Sequence, residues 1–344
     1  MEPASERLVS SHPLDMDTEN QAPLALRPQC FDEMVGQREL LSNLQVFVKA
    51  AKERQEALDH ILLCGPPGLG KTTLANLIAR EMQVQIHVTS GPALERKDMA
   101  GILSQLQEFD ILFIDEIHRL SPIVEEILYP AMEDFKFDLI LGGGPHARTL
   151  EVPLKPFTLI GATTRTGLLT GPLRDRFGYT GRVNYYPTED LCAIVERAAE
   201  LIDLACDHAG AWEIAKRCRG TPRIANRLLR RVRDFAEVDG DGHIDQGLAA
   251  HALNRLGVDE HGFDEMDRRF MDMLVNKFKG GPVGIETLGA ALGEDTDTLE
   301  SVYEPYLIKG GYLERTPRGR CATPSGFELL GISAPSSKGQ NSLL

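Results

Sequence analysis

Ile61-Leu62-Leu63-Cys64-Gly65-Pro66-Pro67-Gly68-Leu69-Gly70-Lys71-Thr72-Thr73 is the stretch that decides the fold. Four apolar residues of strand character run into a glycine-rich turn, after which Leu74, Leu77, Ile78 and Met82 recur at helical spacing. The turn fits G-x-x-x-x-G-K-[ST], a loop whose backbone N–H groups converge on a phosphate. Side chains would block that approach, hence Gly68 and Gly70. Lys71 brings a positive charge to the β- and γ-phosphates, the Thr72 hydroxyl is suited to Mg2+, and Thr73 follows into a helix whose positive end points at the anion. A chance match in a chain of this length arises about once in a hundred.

Outward from this unit, Gln85 to Thr89, Ile111 to Ile114 and Phe157 to Ile160 are further candidate strands separated by helical stretches. Alternation of this kind predicts an α/β domain with a parallel sheet. The strand Ile111-Leu112-Phe113-Ile114 ends in Asp115-Glu116. Charges at a sheet edge are costly unless paired, and a neighbouring phosphate loop supplies the reason for them. Asp115 would hold the water shell of Mg2+, and Glu116 would polarise an attacking water. The plainer alternative is a pair of solvated acids capping the next helix. Gly161-Ala162-Thr163-Thr164-Arg165 follows the third strand, where the Thr163 hydroxyl would sense the γ-phosphate beside the Asp115 strand.

From about Thr188 the strand signals stop. Thr188-Glu189-Asp190 opens a helix with acids in its first turn, and Ala193 to Leu204, Ala211 to Cys218 and Ile224 to Ala236 are further helical stretches. After Gly257, helices lead to Tyr312–Thr316, the turn Pro317-Arg318-Gly319 and Arg320–Thr323, the pattern of a winged helix. The expected division is an arm at 1–24, a large nucleotide domain at 25–184, a helical lid at 185–256, a winged head at 257–332 and a tail at 333–344.

Composition narrows the class. The 344 residues are 42% hydrophobic and 26% charged, with a net charge of −14, which argues against a coat of non-specific nucleic-acid contacts. Basic residues are local: an acid-free run from Lys216 to Arg233 that includes Arg227, Arg230 and Arg231, and a second group of Arg315, Arg318 and Arg320. Arginines along the first run are expected mainly on the solvated face of a lid helix. Six scattered cysteines form no C-x-x-C pair, so neither disulfides nor a zinc site is indicated. Aliphatic runs fall far short of the ~18 residues that span a membrane. Met1 to Ser10 has no apolar core, and the expected location is cytoplasmic.

Six segments in collinear order carry a resemblance: Gly65–Thr72, Leu112–Leu120, Gly161–Arg165, Leu173–Gly178, Gly220–Arg231 and Thr316–Arg320. Together, and narrowed by Glu125–Asp134, they resemble the bacterial RuvB family of AAA+ motors, which drive branch migration of Holliday junctions. The resemblance runs from about residue 24 to 330. It implies ATP/ADP and Mg2+ as cofactors and a homo-hexameric ring around double-stranded DNA. It also implies RuvA as partner through a hairpin at 136–153, including Phe137, Leu139, Ile140, Leu141 and Gly142-Gly143-Gly144, and RuvC in the resolving complex. Exposed apolar residues of that hairpin have an alternative, which is to pack on their own subunit. Arg176 matches the arginine finger inserted into a neighbour's site, and Arg223 the sensor arginine of the lid. Leu26, Arg27, Glu133, Asp134, Phe135 and Tyr186 match nucleotide-contacting positions.

For DNA, the second helix of the head's helix-turn-helix would contain Glu294, Asp295, Asp297 and Glu300. An acidic helix is a poor guest in a groove lined by phosphates. Contact is therefore expected through Arg315, Arg318 and Arg320 of the wing, without sequence readout. The family often has an arginine in the Gly-Glu-x-x segment that here ends in Thr296, so one phosphate contact is expected to be missing. Two other classes compete with a translocase. A nucleotide-switched regulator at a fixed DNA site disagrees with the acidic helix, and a clamp-loader-like subunit disagrees with the winged module.

Overall fold

The computed structural model describes residues 26–141 and 148–334. Expectations for the arm at 1–24, for Gly142-Gly143-Gly144 and for the end of the tail lie outside them. Among the described residues no helix is long and apolar enough to cross a membrane.

The first body is a three-layer α/β sandwich built from α1 (Arg38–Arg54), β1 (Ile61–Cys64), α2 (Lys71–Met82), β2 (Ile86–Ser90), α3 (Arg96–Gln105), β3 (Ile111–Asp115), α4 (Pro122–Glu133), β4 (Lys136–Leu141), β5 (Arg148–Pro153), β6 (Thr158–Thr163), α5 (Gly171–Arg174) and β7 (Tyr179–Arg182). Five strands form a parallel sheet in the order β2-β3-β6-β1-β7. Side chains of a strand alternate between faces. Ile61, Leu63, Ile111, Phe113, Ile160 and Ala162 pack with buried residues of α1 and α2. Leu62, Cys64, Leu112, Ile114 and Leu159 pack with those of α3 and α4. A sheet covered on both faces explains why these strands are apolar throughout.

That topology sets the site. Register places Cys64 beside Thr163 and Ser90 beside Asp115. The carboxyl ends of β1, β3 and β6 therefore share one edge, where open parallel sheets bind ligands. Thr163 does lie on the strand next to Asp115.

The lid comprises α6 (Thr188–Leu201), β8 (Ala205–Cys206), α7 (His208–Lys216), α8 (Pro222–Asp239), β9 (His243–Ile244) and α9 (Gln246–Arg255). Its first helix is a single one ending at Leu201, and Leu204 lies beyond it. A short parallel pair, β8 with β9, also appears where the sequence shows no strand signal. Two residues are too few to make a pattern. The stripe Ala225, Leu228, Leu229, Val232 and Ala236 buries one face of α8 and leaves Arg227 and Arg231 exposed. Two arginines earlier in the basic run are structural instead. Arg217 is buried against Glu213, 2.8 Å away, and Arg219 pairs with Asp264 and Asp267 across the joint to the head.

The head contains α10 (Glu265–Asp272), α11 (Ile285–Leu292), α12 (Thr296–Thr298), α13 (Glu304–Lys309), β10 (Leu313–Thr316), β11 (Gly319–Ala322) and α14 (Pro324–Glu328) around its own core of Phe263, Phe270, Leu288, Leu299 and Leu307. A wide-turn stretch, Leu299–Tyr303, joins α12 to α13. Asp295 caps α12 by accepting the Asp297 N–H at 3.0 Å, so Glu294 and Asp295 precede the acidic helix, contrary to expectation. The antiparallel pair β10–β11 is the wing, turning at Pro317-Arg318.

Candidate nucleotide site

The glycine turn after β1 folds as its chemistry requires. Gly68 has φ +76°, and a Cβ there would come within 2.8 Å of Thr221 Cγ2. Glycine alone permits both the left-handed backbone and the close approach of the lid. Gly70 caps α2 with φ +98°, so Lys71, Thr72 and Thr73 form the first helical turn. Lys71 is buried, and its Nζ donates to the carbonyls of Gly65 and Pro66 at 2.8 Å each. Burial pulls its pKa down to about 8, against the pull of Asp115, the foremost of its countercharges.

Asp115 ends β3, and its Oδ1 accepts the Glu116 N–H at 2.9 Å. Glu116 holds φ +48°, strained for a residue with a Cβ, and its Oε2 lies 3.1 Å from Arg119. Thr163 Oγ1 lies 3.0 Å from His118 Nδ1 and accepts the Arg165 N–H at 3.0 Å. Burial lowers the pKa of His118, with the Glu116 carboxylate the foremost charge pulling the other way. His118 thus joins the ends of β3 and β6. The sequence offers one signal for it, a histidine two positions after Glu116.

The lid closes over the loop. The Arg223 N–H donates to the Gly68 carbonyl at 3.3 Å, and the Tyr186 hydroxyl reaches the Leu69 carbonyl at 3.5 Å. Leu26 belongs to the same buried cluster as Leu69 and Tyr186, and Arg197 reaches its carbonyl at 3.4 Å. Arg27 follows it, half-buried. Leu26, Tyr186 and Arg223 are thereby gathered around the glycine turn.

Glu133, Asp134 and Phe135 are placed elsewhere. Glu133 ends α4, Asp134 and Phe135 lead from it into β4, and Phe135 packs edge-on against Phe157, with ring centres 6.0 Å apart, in the core on the α3–α4 side of the sheet. Arg176 stands with them. Its guanidinium lies 4.5 Å from the Tyr129 ring centre and 3.1 Å from Glu133, and Nη1 donates to the Pro172 carbonyl at 2.7 Å. Its buried Nε has no partner among the described residues. Tyr129 and Thr170 both donate to Glu125, at 2.8 and 2.7 Å, so the platform under Arg176 is itself fixed. Tyr129, Thr170 and the buried Glu125 escape a sequence reading because they meet only in the fold.

In the hairpin β4–β5, Phe137 is 2% exposed and packs in the core beside α4. Of the two alternatives for the hairpin's apolar residues, Phe137 takes packing on its own subunit, because the pleat turns it inward. Leu150 on the second strand is 49% exposed. The side chains of Leu139, Ile140 and Leu141 lie outside the described residues.

The wing arginines are not equivalent. Arg318 is exposed at the turn. Arg315 and Arg320 both pair with Glu300 and with Glu304, and Glu304 is fully buried. Burial works against the Arg320 charge, but its bonds to Glu304 and Glu300 prevail and raise its pKa. The expectation of three free arginines therefore changes: Arg320, 9% exposed, is held by Glu300 and Glu304, Arg315 is exposed but shares the same acids, and Arg318 stands open at the turn. The sequence shows the acids and the arginines but not that the wing folds back onto them.

Known proteins converge on one lineage. Residues 26–183 match the Holliday junction DNA helicase RuvB P-loop domain, 186–259 the RuvB AAA lid domain and 260–331 the RuvB C-terminal winged helix domain. Among solved structures, the Thermotoga maritima RuvB Holliday junction branch migration motor is 48% identical, with TM-score 0.83, over 90% of this chain and 100% of that one. A point mutant of Thermotoga maritima RuvB is 48% identical, with TM-score 0.84, over 90% of this chain and 99% of that one. With three consecutive domains matched in order, the chain belongs to the RuvB family.

Proposed function

We propose that this chain is an ATP-driven motor that translocates double-stranded DNA and drives branch migration of Holliday junctions. The observation that carries the reading is the convergence of Lys71, Asp115, Glu116 and Thr163 on one sheet edge, with Arg176 held apart over α4. Lys71 neutralises the β- and γ-phosphates. The Thr72 hydroxyl and Asp115 carboxylate are hard oxygen donors of the kind Mg2+ takes, directly or through water, and the ion when bound draws charge from the phosphate oxygens. Glu116 orients water and takes its proton as the new O–P bond forms and the bond to the bridging β–γ oxygen breaks, leaving ADP and phosphate. Arg27, Leu26, Tyr186 and Arg223 would line the nucleotide from the lid side.

Arg176, with Glu133, Asp134 and Phe135, faces a neighbour's nucleotide in this reading. An arginine at the γ-phosphate is worth about 10³–10⁵ in rate, so one subunit alone lacks much of its own catalysis. A closed ring satisfies every site at once, and a homo-hexamer around duplex DNA is the assembly we propose. RuvA would dock on the β4–β5 hairpin, and RuvC would join in the resolving complex. Arg318, with Arg315 and Arg320, tracks phosphates through the wing without reading sequence.

The test is ATP-dependent migration of a synthetic four-way junction, with and without RuvA. Migration that needs ATP and is abolished by Lys71→Ala supports the motor. A strictly monomeric preparation that hydrolyses ATP at full rate, indifferent to DNA and to Arg176→Ala, would overturn it.

A further inference from the structure

The sequence shows no zinc pattern because its cysteines are scattered, but the lid brings donors from two helices together. Cys192 and Glu196 lie one turn apart on α6, and His208 opens α7. His208 Nδ1 is 2.7 Å from Glu196 Oε1, and Cys192 Sγ is 3.8 Å from each of those two atoms. A solvent-exposed histidine–glutamate pair needs no thiol beside it. Here a buried sulfur stands equally far from both other donors, closing a triangle.

We infer that Cys192, Glu196 and His208 form a zinc site that staples α6 to α7. Tetrahedral zinc, with bonds of about 2.3 Å to sulfur and 2.0–2.1 Å to nitrogen or oxygen, sets its donors about 3.3–3.6 Å apart. Two edges of the triangle are already near that size. The third opens by roughly half an ångström, a movement available to His208 and Glu196, whose side chains are 76% and 37% exposed. The chemistry also fits. One thiolate, one carboxylate and a neutral imidazole balance the charge of the ion, and a thiolate–imidazole pair selects zinc over Mg2+ or Ca2+. Binding releases the Cys192 proton to solvent. The exposed side of the triangle admits the ion and leaves its fourth position to water.

The staple would act where the lid meets the glycine turn. α6 follows directly on Tyr186, whose hydroxyl contacts the Leu69 carbonyl, and carries Arg197, which holds the Leu26 carbonyl. Zinc would therefore stiffen the helix that carries Arg197 and starts just after Tyr186, without entering the hydrolysis itself.

The experiment is competition between the reduced, metal-stripped, nucleotide-free full-length protein and a chromophoric zinc indicator, with Zn2+ alone as the probe. One equivalent bound, an affinity at least tenfold weaker in both Cys192→Ser and His208→Ala, and no displacement by excess Mg2+ are expected. Co2+ should give a thiolate charge-transfer band that Cys192→Ser abolishes. His208 is exposed, so His208→Ala folds and keeps its basal ATPase rate. Substoichiometric binding by the parent protein, or zinc affinity unchanged in His208→Ala, would overturn the site.

Discussion

Arg165, two positions beyond Thr163 at the end of the central strand, meets Glu300 of the winged head at 3.6 Å and Asp297 at 3.4 Å. The other oxygen of the same Glu300 carboxylate pairs with Arg315 and Arg320 of the wing. One acid thus stands between Arg165, near the end of the strand that carries Thr163, and the surface expected to hold DNA. Glu300→Gln removes the shared charge at nearly constant shape. Its expected effect is tighter non-specific duplex binding and a slope of log affinity against log salt steeper by about 0.9 for each arginine released. Fluorescence anisotropy across a salt series measures it, and an unchanged slope would show that Glu300 withholds no wing arginine from phosphate.

In the proposed ring, Arg176→Ala and Lys71→Ala should fail for different reasons. The first would leave its own site intact and deprive a neighbour, and the second would lose its own phosphate charge. Each alone should fall by about 10³-fold or more in ATP turnover, yet mixed rings should regain part of the activity. Phosphate release from titrated mixtures reads this out, and no recovery where mixed rings are seen to form would place Arg176 in its own subunit's site.

The lowered pKa of Lys71 gives a pH signature. Between its folded value of about 8 and the ordinary 10.5, the unfolded chain keeps the proton that the folded protein has lost. This group's share of stability therefore increases as pH climbs through that window, while below it the burial of the charge counts in full. Nucleotide affinity moves the opposite way, because phosphate needs the ammonium. Apparent ATP affinity should fall by up to tenfold per pH unit above about 8. Titration of a fluorescent ATP analogue from pH 7 to 9.5 measures it, and Lys71→Arg, whose charge is fixed, should flatten the profile.

The hairpin separates packing from docking. Phe137→Ala opens a cavity in the core and should cost about 3–5 kcal/mol of stability. Leu150→Ala, at an exposed position, should change stability by less than about 0.5 kcal/mol while weakening RuvA binding. Denaturant melts and a binding titration distinguish the two, and equal RuvA affinity in Leu150→Ala would remove that side chain from the interface.

What was legible in the sequence was whatever depends on neighbours along the chain. Apolar strands ending in Gly65, Asp115-Glu116 and Thr163 announce a parallel sheet and a common edge, because strand period and turn chemistry are local. The wing was legible through Pro317-Arg318-Gly319 for the same reason. Burial of Arg320 against Glu304 was not, since nothing in the sequence says that an acidic helix and a basic hairpin in one head will face each other. The position of Arg176 over Tyr129 likewise needs α4 and the segment after α5 to be packed side by side. The two-residue strands β8 and β9 fall below the length at which any periodicity exists.

The acidic helix of the head has a consequence for how a motor lets go. Glu300 and Glu304 offer the wing's cations what a phosphodiester backbone would offer, at a place the polymer need not reach. A foot that carries its own substitute ground can lift without stranding bare charge. If the wing grips DNA as proposed, detachment at each stride would be an exchange of partners, which suits a walker that must release as often as it grips.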